Sequence, residues 1–324
     1  MNEQIQATTL EQSNDAYDLT TLLHRLTEEH KTSVSNRIEK VNSIVAALSL
    51  LQNDDSEEIY STLFEKISNN ELSGDADDYH NIAVAYSRHQ QPERASQICS
   101  LGLKKWPENI DLNADALTYM MDAGNLVKAE ELANSLQKNC PDRSKWNWRG
   151  FTFLLDYYQT VYPEEQKEQI ISLISDFKMY LPQEERAYLC DAKRYESLGE
   201  YNKAIESLED AISKLNAPQC ALKLTDLYFE RAKYDDAIRT ATLGIAFAAE
   251  PQPSIRTAYL LFLRALSKDA LYLKCGNMAQ EDARRILEEY KLAKKYVSSS
   301  EARIIDLRMD IIATYASIPQ DKAN

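Results

Sequence analysis

Residues that form turns are scarce in this 324-residue chain, which holds seven glycines and nine prolines. Sheet-rich folds need more reversals than that, because each tight turn draws on Gly, Pro, Asn or Asp at defined positions. The glycines, at 74, 102, 124, 150, 199, 244 and 276, stand too far apart to build either glycine-rich nucleotide loop. Cysteine is thin as well. Cys99, Cys140, Cys190, Cys220 and Cys275 form no Cys-x-x-Cys pair, and no histidine lies near one at a zinc spacing. The four histidines, His24, His30, His80 and His89, include no His-Glu-x-x-His. Neither a metal site nor a cofactor is expected. The longest near-apolar run, 41–51, is interrupted by Asn42, Ser43 and Ser49, and the opening MNEQIQATTLEQSND has no basic start and no apolar stretch. On this reading there is no membrane span and no signal peptide.

Positive charge is in deficit. Against 51 acids stand 37 bases, a formal charge of −14, and the surplus is concentrated in residues 1–75 with fourteen acidic and five basic side chains. Phosphate neutralisation supplies most non-specific nucleic-acid affinity, so nucleic acid is disfavoured as a partner. What the chain has in quantity is helix-forming Ala, Leu, Glu and Lys, within 44% hydrophobic content, enough for a buried core. These features predict an all-α protein in a reduced, cytoplasmic compartment.

A period runs through the middle of the chain. Ala95 and Ala129 lie 34 apart, each with Tyr86 or Met120 nine before, Gly102 or Leu136 seven after and Pro107 or Pro141 twelve after. Ala204 and Ala237 repeat the frame 33 apart, with Tyr195 and Tyr228 nine before and Ala211 and Gly244 seven after. The frame resembles the tetratricopeptide repeat, in which an aromatic, a small residue, Tyr, Ala, a bulky residue and Pro recur in order. Tyr79, Ile82, Ala83, Tyr86, Ala95, Cys99, Gly102 and Pro107 fill those slots in the first copy. The resemblance implies a right-handed superhelical solenoid of helix hairpins, each too small to bury its apolar face alone and therefore stacked on the next.

The expected layout is a disordered N-terminus over 1–14, acidic N-terminal helices over 15–70, and a repeat array over 76–318. Its units are 76–109, 110–143, 144–183, 185–217, 218–251 and 252–298, with a capping helix over 300–318 built on Ile304, Ile305, Ile311 and Ile312. The third unit has about seven extra residues and is expected to have a lengthened first helix. Leu19, Leu22, Leu23 and Leu26 form one helical stripe ahead of the array, and Ile38, Val41, Ile44, Val45 and Leu48 form another. Asp55 followed by Glu58 predicts a capping box opening a further helix. These helices are either degenerate hairpins or a separate module.

In proteins of this resemblance, ligands lie on the exposed, concave side of each first helix. That side here carries His80, Arg88, Trp146, Arg149, Phe153, Tyr157, Arg186, Lys193 and Phe229. Aromatics interleaved with cations suit a polypeptide bearing acidic and apolar groups, because they bury much area at modest entropic cost. Cys99 sits at the bulky packing slot, which makes it a core thiol, and Asp75, Asp77 and Asp78 read as helix-start carboxylates. The resulting expectation is a non-catalytic adaptor or scaffold holding a partner polypeptide in its groove. Two alternatives stand beside it: a switch in which a bound peptide alters docking of the N-terminal helices, and an RNA-binding helical repeat.

Overall fold

The computed structural model describes residues 35–53, 56–248, 254–276 and 278–317. The expectations for 1–14, for the Leu19 to Leu26 stripe and for Asp55 lie outside the described residues. The described chain is helical apart from one isolated bridge, and it divides into two compact units, Met1–Pro141 and Asp142–Asn324.

In the first unit the helices are α1 (Ile44–Leu51), α2 (Glu57–Ser68), α3 (Ala76–Arg88), α4 (Pro92–Leu103), α5 (Ile110–Asp122) and α6 (Leu126–Asn139). The Ile38 to Leu48 stripe is not one helix. Residues 41–43 leave the helical path and Ser43 caps α1, its hydroxyl accepting from Ala46 N–H at 3.2 Å. Ile38, Val41 and Ile44 are buried, whereas Val45 is exposed. The connector after α2 docks on this cap, where Ile44 N–H donates to the Ser73 carbonyl at 2.9 Å. Asp75 and Asp78 then exchange 2.9 Å bonds in a capping box that starts α3, so these carboxylates serve the helix end. The helix of Glu57 opens instead at Ser56, without a side-chain cap.

α3 packs on α4 and α5 on α6, while α3 also meets α5 and α4 meets α5; α1 lies against α3 and α2 against α4. The repeat slots explain the close seams. Ala95 and Ala129 are fully buried. A Cβ on Gly102 would meet Leu112 Cδ1 at 2.9 Å and Tyr79 Cβ at 3.1 Å. Tyr86 crosses the seam, donating its hydroxyl to the Tyr60 carbonyl at 2.6 Å.

The second unit opens with a 3-10 turn, Arg143–Lys145, followed by α7 (Trp148–Val161), α8 (Lys167–Tyr180), α9 (Arg186–Ser197), α10 (Tyr201–Lys214), α11 (Pro218–Glu230), α12 (Tyr234–Ala248), α13 (Ile255–Cys275), α14 (Gln280–Ala293) and α15 (Ser299–Ser317). Consecutive helices from α7 to α15 pack as neighbours, and α7, α9, α11 and α13 form a row in which each first helix touches the next. The expected lengthening of the first helix is corrected: α7 has 14 residues against 13 in α3. The extra residues lie in the connectors, in the 3-10 turn ahead of α7 and in the 162–166 turn after it.

Hairpin turns in both units share one backbone signature. In four hairpins, though not in that of α7, the residue after the first helix's C-cap has positive φ: Gln90 (62°), Gly124 (71°), Gly199 (70°) and Ala232 (55°). Arg308 on α15 closes the second unit, clasping the buried Asp269 of α13 through two bonds of 2.5 and 2.6 Å. Ile305 and Ile312 face inward from α15, whereas Ile304 is exposed.

Candidate functional site

On the first-helix face of the first unit, His80 and Arg88 lie two turns apart on α3 but meet different surroundings. His80 Nδ1 lies 2.5 Å from the carboxylate of Asp115, a buried acid on α5, so the imidazole spans two first helices. Arg88 is exposed at the mouth of a cleft of about 300 Å³ between α1 and α3.

On the second unit the face is organised by the start of α7. Asn147 caps that helix, its side-chain oxygen accepting from Arg149 N–H at 3.0 Å and Gly150 N–H at 3.2 Å. This fixes the residue before the cap and the fourth residue of the helix as a hydrophobic staple. Trp146 therefore turns inward against Phe151 at a centroid distance of 5.1 Å, and Phe151 stacks on Phe177 at 4.8 Å. With 3% of its surface exposed, Trp146 is core, and so is Tyr157 at 1%. Neither has surface to offer a guest, which corrects their assignment to the open side.

The tryptophan on the open side is Trp148, one residue beyond the cap. The Arg186 guanidinium lies 4.0 Å from its ring centroid, Arg149 lies 5.4 Å away, and Phe153 meets it edge-on at 6.2 Å. Arg149 also sits 5.2 Å from the Phe153 ring. Cations over aromatic faces are held by the ring quadrupole, which orders long side chains in advance of any ligand. Arg186 is further steadied by Glu184 at 2.7 Å. Trp148, Arg149, Phe153 and Arg186 thus form one half-buried cluster from α7 and α9. Sequence spacing picked out three of these four. The missed signal is the string Trp-Asn-Trp-Arg-Gly-Phe, where an Asn cap between two tryptophans sends the first to the staple and the second to the surface.

Further along the row, ion pairs join successive first helices. Lys193 of α9 pairs with Asp156 of α7, and Lys223 of α11 pairs with Glu196 of α9 at 2.9 Å. Lys193 is therefore engaged, although it is half exposed. Beside Lys223, burial raises the carboxyl of Asp226, and Glu230 adds to the rise. Phe229 lies half-buried near the far end of α11, 5.8 Å from Tyr234 of the following helix and not with the Trp148 cluster. Glu185, at the foot of α9, accepts from the free N–H groups of Gln219 and Cys220 at 2.8 and 3.2 Å, fixing the register of α9 against α11.

Four of the five thiols are buried in the seams. Burial pushes Cys140 up to about 11 and Cys190 up to about 12, so both stay protonated at neutral pH. Among the described residues no group of three His, Cys, Asp or Glu side chains is set to hold a metal ion. No helix among them is long and apolar enough to cross a membrane.

The stacked helix hairpins, with small residues in their seams and an aromatic and cationic first-helix face, resemble tetratricopeptide-type repeats. Among solved structures, the chain is similar to a thermophilic TPR protein of Thermus thermophilus, at 21% identity over 60% of this chain and 98% of that one, with a TM-score of 0.45. It is also similar to a tetratricopeptide repeat protein of Parabacteroides merdae, at 16% identity over 88% of this chain and 98% of the other, TM-score 0.47. A third likeness is to pilF of Pseudomonas aeruginosa, at 17% identity over 72% and 96% of the two chains, TM-score 0.47. With TM-scores below one half, these likenesses add nothing to the hairpin order visible in the helices themselves. No protein-family model and no curated protein matches the chain.

Proposed function

We propose that the chain is a non-catalytic binding protein, an adaptor or scaffold that holds a segment of a partner polypeptide on the first-helix face of its hairpins. The observation that carries this reading is the Trp148 cluster, two guanidinium groups set around a half-buried indole with Phe153 beside it. Aromatic and Arg side chains ordered before binding lose little entropy on contact, which is why they dominate interface energies. Their chemistry suits a partner presenting acidic and apolar groups together. The reading goes with a cytoplasmic location, which five free thiols, four of them buried, suit.

The test is affinity capture from native lysate with the wild-type chain and with Trp148→Ala combined with Arg186→Glu. Partners recovered with wild type are expected to fall by roughly tenfold or more, with circular dichroism unchanged, since hot-spot truncation costs about 2 kcal/mol or more. Undiminished recovery of every partner by the double variant overturns the assignment. Lys214→Glu serves as a control, because its ion pair with Asp210 lies on α10, off the first-helix face, and is exposed on both sides.

A further inference from the structure

The cleft between α1 and α3 lies outside the repeat signature, since α1 precedes the first matched copy. Its apolar lining comes from Leu48 and Leu51 of α1 and Val84 and Ala85 of α3, with Tyr60 of α2 beside them. Its rim is polar, with Gln52 at the end of α1 and Asn81 and Arg88 on α3. At about 300 Å³ it is at the lower limit for ligand pockets, room for a side chain or two but not for a large cofactor.

What distinguishes this cleft is that its rim is uncommitted. Gln52, Asn81 and Arg88 are exposed, and among the described residues their side chains make no hydrogen bond or ion pair. The larger hollow of about 540 Å³ at the turn after α3 is the contrast. There Gln91 donates to Glu57 at 2.6 Å, Arg94 donates to the same carboxylate at 3.1 Å and His89 stands 3.5 Å from it, so its polar groups already satisfy one another. Arg94 has an acid and Arg88 does not, although both belong to the same hairpin.

We propose that the α1–α3 cleft receives one aliphatic side chain of an acidic partner peptide, with the peptide's neighbouring carboxylate paired to Arg88. The proposal rests on the polypeptide-binding reading and deepens it by naming a second contact and its chemistry. The apolar wall strips water from a leucine-sized group. The guanidinium offers a fork of donors to the acid. The amides of Asn81 and Gln52 each carry a donor and an acceptor, matching a peptide unit on either side of the inserted residue. Charge decides the sign of the ligand, because an unpaired cation at the mouth repels a basic peptide and leaves a neutral one without a counterpart.

The experiment uses the full chain with methyl-labelled Leu and Val, titrated with an acetylated and amidated Gly-Ser-Leu-Asp-Ser-Gly peptide and two controls. In one control Ser replaces the Leu, and in the other Asn replaces the Asp. Saturable shifts of the Leu48, Leu51 and Val84 methyls are expected with the parent peptide. Binding should weaken about tenfold with the Asn control, the worth of one charge-assisted bond, and disappear with the Ser control. Arg88→Glu, a surface change that leaves the fold alone, should reproduce the Asn result, and Val84→Trp should fill the cleft. The proposal is overturned by absent methyl shifts, by equal binding of the Asp and Asn peptides, or by methyl shifts that track protein concentration without peptide, which would mark a second copy as the occupant. If the cleft fails while Trp148→Ala with Arg186→Glu still loses partners, the polypeptide-binding reading stands and only the cleft assignment falls.

Discussion

At the scale of single residues, the strongest commitment is Asp269, 1% exposed, whose charge Arg308 neutralises from the last helix. A buried ion pair adds little net stability against an apolar pair, but breaking it leaves one charge stranded. Asp269→Asn is therefore expected to cost about 3 kcal/mol in urea denaturation, near the low end for such pairs because Arg308 keeps 19% of its side-chain surface in water. Asp269→Leu combined with Arg308→Met should cost well under the sum of the two single changes. An additive double variant would show that the clasp is not a coupled pair. Tyr290, whose hydroxyl stands 3.4 Å from the same carboxylate, is pushed upward by its burial and by Asp269, and it lines the same enclosed site.

At the scale of elements, the hairpin turns separate requirement from history. The position with positive φ is glycine in two turns but Gln90 and Ala232 in two others. A side chain there brings Cβ too near the next carbonyl, at about 1–2 kcal/mol. Both side chains are exposed, so nothing in the packing repays that cost. Gln90→Gly and Ala232→Gly are each expected to stabilise by about 0.5–1 kcal/mol, the strain relieved less the extra freedom of the unfolded glycine. A fall in melting temperature for both would refute the strain account. Gly244 shows the opposite demand: it has an ordinary helical backbone, but a Cβ there would meet Ala221 Cβ and Leu260 Cδ1 at 2.9 Å. One glycine type thus serves a turn at 124 and 199 and a close helix crossing at 102 and 244.

At the scale of the molecule, the helices belong to two compact units, Met1–Pro141 and Asp142–Asn324. Repeat arrays draw stability from each hairpin and its nearest neighbours, so a unit that keeps its internal seams keeps most of its stability. The fragments 1–141 and 142–324 are expected to fold separately, each with helical circular dichroism and a cooperative melt. A fragment lacking a cooperative transition would mean that the seams within that unit do not suffice. The α1 and α2 helices belong to the first unit, lying against α3 and α4.

The hairpin frame was legible in the linear order because it depends on size. Where two helices cross most closely there is room for Ala or Gly alone, as at Ala95, Ala129, Ala204, Ala237, Gly102 and Gly244, and that restriction repeats at the period of the hairpin. The binding face was less legible, because exposure depends on where a helix begins. Trp146 and Trp148 differ by two positions, and the Asn147 cap between them decides that one enters the staple and the other meets Arg186. The partners of Lys193 and His80 lie 37 and 35 residues away, on the neighbouring first helix, so only the stacking of hairpins brings these charges together. The cleft beside Arg88 arises in the same way, since α1 and α3 are separated by a whole helix in the chain and share a wall only when folded.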